Sequence, residues 1–182
     1  ERPVASAMPA VRIQNDAGYG LNLRERQSAT SKSLGLYANG ASVRVLGISE
    51  TWAHVTTADG KTGFMLLDRL SPRLQYQYET GEPADSPDAS GAWAGPVGWH
   101  AVAEWPVAIN DFTALVNNPN AKDRLHLRTA PAEKAESLGK YYNGVRTVIQ
   151  GPTDGTWTAV AIGNLQGYMK SQYLAITGES AL

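Results

Sequence analysis

The chain contains no cysteine among its 182 residues, which excludes disulfides, cysteine nucleophiles and thiolate zinc sites together. Nor does it contain a run approaching the roughly 18 consecutive apolar residues of a membrane-crossing helix, so no membrane span is expected. Positive charge is not in surplus: a formal net charge of −1 argues against a nucleic acid partner, whose phosphates call for a basic surface. Basic residues are missing altogether between Arg73 and Lys122, a stretch that carries six acids.

Catalytic signatures are missing as well. "GKT" at Gly60–Thr62 ends like a phosphate-binding loop, but Val55 stands where that motif needs its first glycine. "GYG" at Gly18–Gly20 lacks a third glycine and opens no helix, and neither G-x-S-x-G nor H-E-x-x-H occurs. Histidine is scarce, at His54, His100 and His126. His100 and Glu104 are four apart, but their Pro/Gly-rich surroundings do not favour a shared helical face. All three histidines read as surface or hydrogen-bonded residues. The chain is therefore expected not to be an enzyme and to need neither cofactor nor metal.

What is present is a sentence written twice. "LNLRERQSATSKSLGLYANG" (21–40) and "LHLRTAPAEKAESLGKYYNG" (125–144) share the pattern L-x-L-R, a polar stretch, S-L-G-x-Y-x-N-G at a constant offset of 104. Further matches pair Gly47 with Gly151, Gly63 with Gly167, Met65 with Met169 and Leu70 with Leu174, while one inserted residue pairs Trp52 with Trp157 and Val55 with Val160. A period this long denotes a duplicated domain rather than a solenoid repeat. Between the copies, "ETGEPADSPDASG" (79–91) cannot bury enough apolar surface to fold alone. The blocks carry charges of +3, −6 and +2. The expected division is 1–74 and 105–182 as domains, with 75–104 as an acidic linker.

Each copy is punctuated like a β structure. "ASVRVL" (41–46) alternates Val43 and Val45 against Arg44. Asn39-Gly40 suits a tight turn, and Asp59-Gly60 and Gly163-Asn164 sit between strand-like runs as hairpin turns. No stretch sustains a capped amphipathic helix. Short strands with turn signals every ~8–12 residues predict an all-β chain of two small barrels.

In order and content, "LNLR…SLGLYANGASVRVLG…TWAHV…GKTGFMLLDRL" and "LHLR…SLGKYYNGVRTVIQG…TWTAV…LQGYMKSQYL" resemble bacterial SH3-like domains. The resemblance covers roughly 10–72 and 113–176. It implies two SH3-like, partly open barrels of five to six strands, with a 3₁₀ turn before the last strand within Met65–Leu70 and Met169–Leu174. The first copy departs from the family pattern at "ERQS" and at Phe64, which bears on its ligand site more than on its fold. Such modules commonly sit in exported bacterial proteins that attach to peptidoglycan. The resemblance thus implies an extracellular or cell-envelope location and a cell-wall peptide or glycan as partner. Numbering that begins at Glu1 rather than Met fits a leader removed by processing or by the design of the expressed chain, so an export signal would not be visible in this sequence.

An open barrel of this kind binds through a groove lined by aromatics with polar tips. The expected ligand-binding residues are Tyr37, Asn39 and Trp52 in the first copy and Tyr141, Tyr142, Asn143 and Trp157 in the second. Tyr37 and Tyr141 could equally pack as core on Leu34 and Leu138. The segment 92–110 holds Trp93, Trp99 and Trp105, read as extra strand-like structure covering a barrel or, alternatively, as an aromatic platform. The leading expectation is a non-catalytic binding protein with two weak sites linked for avidity. Its alternatives are a protein-binding scaffold whose grooves are filled by its own segments and, less favoured, a cell-wall hydrolase fragment.

Overall fold

The computed structural model describes residues 8–76, 112–120, 123–150 and 156–179. The expected linker beyond Tyr76 and the segment with Trp93, Trp99 and Trp105 lie outside the described residues. The first copy runs β1 (Ala10–Ile13), β2 (Leu21–Arg24), β3 (Ser33–Tyr37), β4 (Ser42–Ile48), β5 (Trp52–Thr57), β6 (Thr62–Leu66), a 3₁₀ turn (Leu67–Arg69) and β7 (Leu70–Ser71). The second runs β8 (Phe112–Val116), β9 (Arg124–Arg128), β10 (Ser137–Tyr142), β11 (Arg146–Ile149), β12 (Trp157–Ile162), β13 (Leu165–Lys170), a 3₁₀ turn (Ser171–Tyr173) and β14 (Leu174–Glu179). The fold is all-β, and every pairing among the described strands is antiparallel. No helix among the described residues is long and apolar enough to cross a membrane.

Strand order repeats as faithfully as sequence. The first copy is ordered β7-β1-β4-β5-β6-β2-β3 and the second β14-β8-β11-β12-β13-β9-β10, and neither run of strands closes on itself among the described residues. Among the described residues each copy shows seven strands where five to six were expected, the short β1 and β8 pairing with the strands β7 and β14 that follow the 3₁₀ turns. The L-x-L-R pattern places Leu21, Leu23, Leu125 and Leu127 inward. Val55 and Met65 in one core answer to Val160 and Met169 in the other. The conserved spacing of Gly63 and Gly167 has a steric cause: a Cβ at either would stand 2.6 or 2.7 Å from the carbonyl oxygen of Arg24 or Arg128 on the neighbouring strand. Those two arginines also brace the polar loop, since Arg24 Nη1 donates to Ser31 O at 3.0 Å and Arg128 Nη1 to Ala135 O at 3.1 Å.

The copies are not beads on a string. Edge strand β10 pairs with β4, Lys140 opposite Ile48 and Tyr141 opposite Gly47, so that one hydrogen-bonded sheet runs through both. Tyr141 presses its ring onto Gly47, where an added Cβ would meet Tyr141 Cδ1 at 2.7 Å, and its hydroxyl bonds to His54 Nδ1 at 2.7 Å. Gln27 Nε2 adds a bond to Leu138 O at 2.9 Å, and Asn164 Nδ2 one to Glu25 O.

Candidate functional site

In the first copy a bulge decides which side chains face solvent. Leu23 opposes Gly35 and Arg24 opposes Ser33, so Leu34 is the extra residue of β3. Leu34 turns towards the core, and Leu36, opposite Asn22, points outward at 66% exposure. Beside it Tyr19, held between Gly18 and Gly20 at positive φ, is 82% exposed. Tyr19, Leu36, Trp52 and Leu66, with Asn15 and Asn22, line a groove of about 360 Å³. Its walls are apolar faces with two amides and the Arg24 side chain, and it offers a ligand stacking and hydrogen bonds but no nucleophile or base. No group of three or more potential metal ligands occurs among the described residues.

The family model of the bacterial SH3 domain matches residues 20–71, the segment that supplies most of this groove, with Asn15 and Tyr19 lying just ahead of it. Residues 20–71 are a bacterial SH3 domain. Among solved structures the chain is similar to NlpC1 of Trichomonas vaginalis (9% identity, TM-score 0.33, 95% of this chain and 47% of that one) and to NlpC2 of the same organism (10%, 0.31, 97% and 52%). It is also similar to a putative autolysin from Listeria monocytogenes (14%, 0.26, 96% and 65%). The chain thus spans about half to two thirds of the length of these proteins. No curated protein matches it.

Within the SH3 domain, the residues singled out from sequence separate into groove and frame. Trp52, half-buried at the start of β5, lines the groove. Tyr37 turns its hydroxyl to the β5–β6 hairpin, donating to the Asp59 carboxylate at 2.9 and 3.0 Å. Hydrogen bonds from Thr57 and then Tyr37 hold the Asp59 carboxyl below its ordinary range. Asn39 clamps Asn15 by its backbone, accepting from the Asn15 N–H at 2.9 Å and donating to its carbonyl at 2.9 Å. It therefore positions a groove wall without facing the groove itself.

The second copy repeats the frame and changes the face. Asn143 clamps Asn118 through the same pair of bonds, at 2.8 and 3.1 Å, but is buried. Tyr141 is buried in the junction, and burial pushes its phenol well above the ordinary value. Tyr142, packed between both cores, carries the Arg124 guanidinium over its ring at 5.5 Å, and burial raises its phenol too. Trp157 is 1% exposed and clusters with Ala159 and Tyr168, the Lys170 ammonium lying 5.9 Å from its ring. At the offset of 104, Leu36 and Leu66 become Lys140 and Lys170, both buried. Lys170 pairs with Glu133, and Tyr76 of the first copy's tail lies against Lys140 and His126. The face that is an open groove in the SH3 domain is covered in its repeat by the chain itself.

Sequence reading missed Tyr19, Leu36, Leu66 and Asn22. The flanking glycines of "GYG" signalled an exposed turn for Tyr19. Nothing local marked Leu36, because simple alternation puts it on the same face as Leu34.

The two clamps make a graded prediction. Asn39→Ala should cost about 1 kcal/mol and Asn143→Ala about 2–3 kcal/mol, since only the second strands polar backbone away from water. Urea midpoints of the two variants check this, and equal losses would contradict it.

Proposed function

We propose that this chain is a non-catalytic binding module of the cell envelope that holds a peptidoglycan peptide or glycan in the groove of its SH3 domain. The repeat, which shares its strand order, is in this reading a second SH3-like domain that supports the first. The observation that carries the reading is the pairing of Tyr19 and Leu36, large apolar side chains exposed side by side with Trp52 in one groove. Such exposure is costly in a folded chain unless something covers it, and the family match adds the kind of ligand. An extracellular or envelope location follows from the same reading.

The alternative, a scaffold with self-occupied grooves, has one observation in its favour: Tyr76 covers the corresponding face of the repeat. Among the described residues that arrangement leaves one of the two equivalent faces open.

Co-sedimentation with isolated peptidoglycan tests the proposal. The full chain should pellet with the wall material, and Tyr19→Ala should weaken binding about tenfold, as loss of an aromatic anchor does. Its melting temperature should stay unchanged, because Tyr19 is exposed. Absence of pelleting by the unmodified chain, or binding indifferent to Tyr19, would count against the groove.

A further inference from the structure

A second opening, of about 550 Å³, lies where the copies meet. Among the described residues its walls include Ser49, Glu50 and Trp52 from the SH3 domain and Arg128, Lys134 and Glu136 from the repeat. It exists only because the copies are docked. Gln27 spans its base, donating to Leu138 O at 2.9 Å and accepting from Ser49 Oγ at 3.3 Å. Beneath, the seam between Gly47, His54 and Tyr141 has no room for a water molecule.

The cleft and the apolar groove share a wall, since Trp52 lines both. One surface therefore passes over the indole from Tyr19 and Leu36 to a region of mixed charge. There Glu50, Lys134 and Glu136 are exposed. Arg128 and Glu133 are already engaged, by Ala135 O and by Lys170. Acids and a base facing one cleft suit a ligand that carries both an ammonium and a carboxylate, and cavities at domain junctions are favoured places for such ligands.

We infer that the two copies form one composite site for a short peptide with free charged groups: its uncharged part lies on Trp52 in the groove, and its ammonium and carboxylate enter the junction cleft beside Glu50, Glu136 and Lys134. This rests on the binding reading above and narrows it, replacing two weak sites with one shared by both copies.

Titration of the full chain with tetra-alanine bearing free termini, followed by NMR and calorimetry, tests the site. One peptide should bind per chain and shift the Trp52 indole resonance. N-acetylated or C-amidated tetra-alanine should bind about fivefold more weakly or worse, and so should the free peptide to Lys134→Ala or to Glu50→Gln/Glu136→Gln, the loss expected of one exposed charge-assisted contact. These side chains are exposed, so the variants should melt like the parent. Two peptides per chain, no binding, or blocked and free peptides binding alike would overturn the composite site. The readouts separate the two proposals. Wall pelleting that depends on Tyr19 but not on Lys134 leaves the groove standing and removes the cleft. Failure of the parent chain to pellet removes wall material as the groove's ligand, while the tetra-alanine titration still decides the composite site.

Discussion

Acidification from pH 6.5 towards 4 is expected to destabilise this chain steeply, with the loss setting in well above the range where its carboxylates titrate. Two imidazoles are responsible. His54 is buried beneath the junction, stacked on Phe64 at 4.2 Å and bonded through Nδ1 to the Tyr141 hydroxyl. Burial depresses its pKa to about 3. His126, bonded to Ser137 Oγ at 2.7 Å, is likewise lowered to about 3, first by burial and then by the positive charges of Arg128, Lys140 and Arg124. In the unfolded chain both return to about 6.5. Above that value neither state binds the extra protons and stability is unaffected. Between 6.5 and about 3 the unfolded state takes them up while the folded state refuses them, so stability falls as pH falls. Each imidazole contributes a slope of up to ~1.4 kcal/mol per pH unit, and both together about 2–3 near pH 4 to 5. Urea unfolding at pH 7, 6, 5 and 4 measures the slope, and His54→Gln should remove about half of it. A denaturation midpoint that stays level from pH 7 to 4 would show that these rings are not buried neutral.

The second large effect concerns the junction. Gly47→Val is expected to separate the two copies, because even its Cβ would stand 2.7 Å from Tyr141 Cδ1 and 2.8 Å from the Lys140 carbonyl oxygen. The obstruction includes backbone, so β4 and β10 cannot relax around it without losing their pairing. Overpacking of this kind costs about 1–3 kcal/mol when the surroundings can yield, and more here, where they cannot. Amide exchange at Lys140 and Tyr141 should accelerate, and small-angle scattering should report a longer particle. The milder Tyr141→Phe removes only the hydroxyl bonded to His54 and should cost about 1–2 kcal/mol with the particle unchanged in shape. Identical scattering from Gly47→Val and the parent would mean that the copies are held elsewhere.

Strand positions and hairpin turns were legible in the sequence because they depend on neighbours along the chain, whereas the 3₁₀ turns came from the resemblance to bacterial SH3-like domains. Asp59-Gly60 and Gly163-Asn164 do form hairpin turns, with Gly60 and Gly163 at positive φ. Val43 and Val45 do face inward from β4. The phase broke at bulges. Leu34 and Leu138 each occupy an extra position, which turns Leu36 out in one copy and places Lys140 opposite His126 in the other. A one-residue slip of this kind flips every following side chain, and no composition signal announces it.

The chain's own letters determined that one β pattern is written twice, that Leu21, Leu23, Leu125 and Leu127 build the two cores, and that roughly 10–72 and 113–176 resemble bacterial SH3-like domains. The inward leucines follow from periods of two and turn chemistry, which act over a few residues, while the duplication follows from the constant offset of 104 and the family likeness from the order of motifs. Only the tertiary structure decided that Tyr141 serves the junction, that Tyr76 covers the repeat's face, and that Tyr19 and Leu36 stand open beside Trp52. Each of those outcomes depends on which surfaces meet across dozens of residues, and a side chain's burial is a property of that meeting rather than of its own letter.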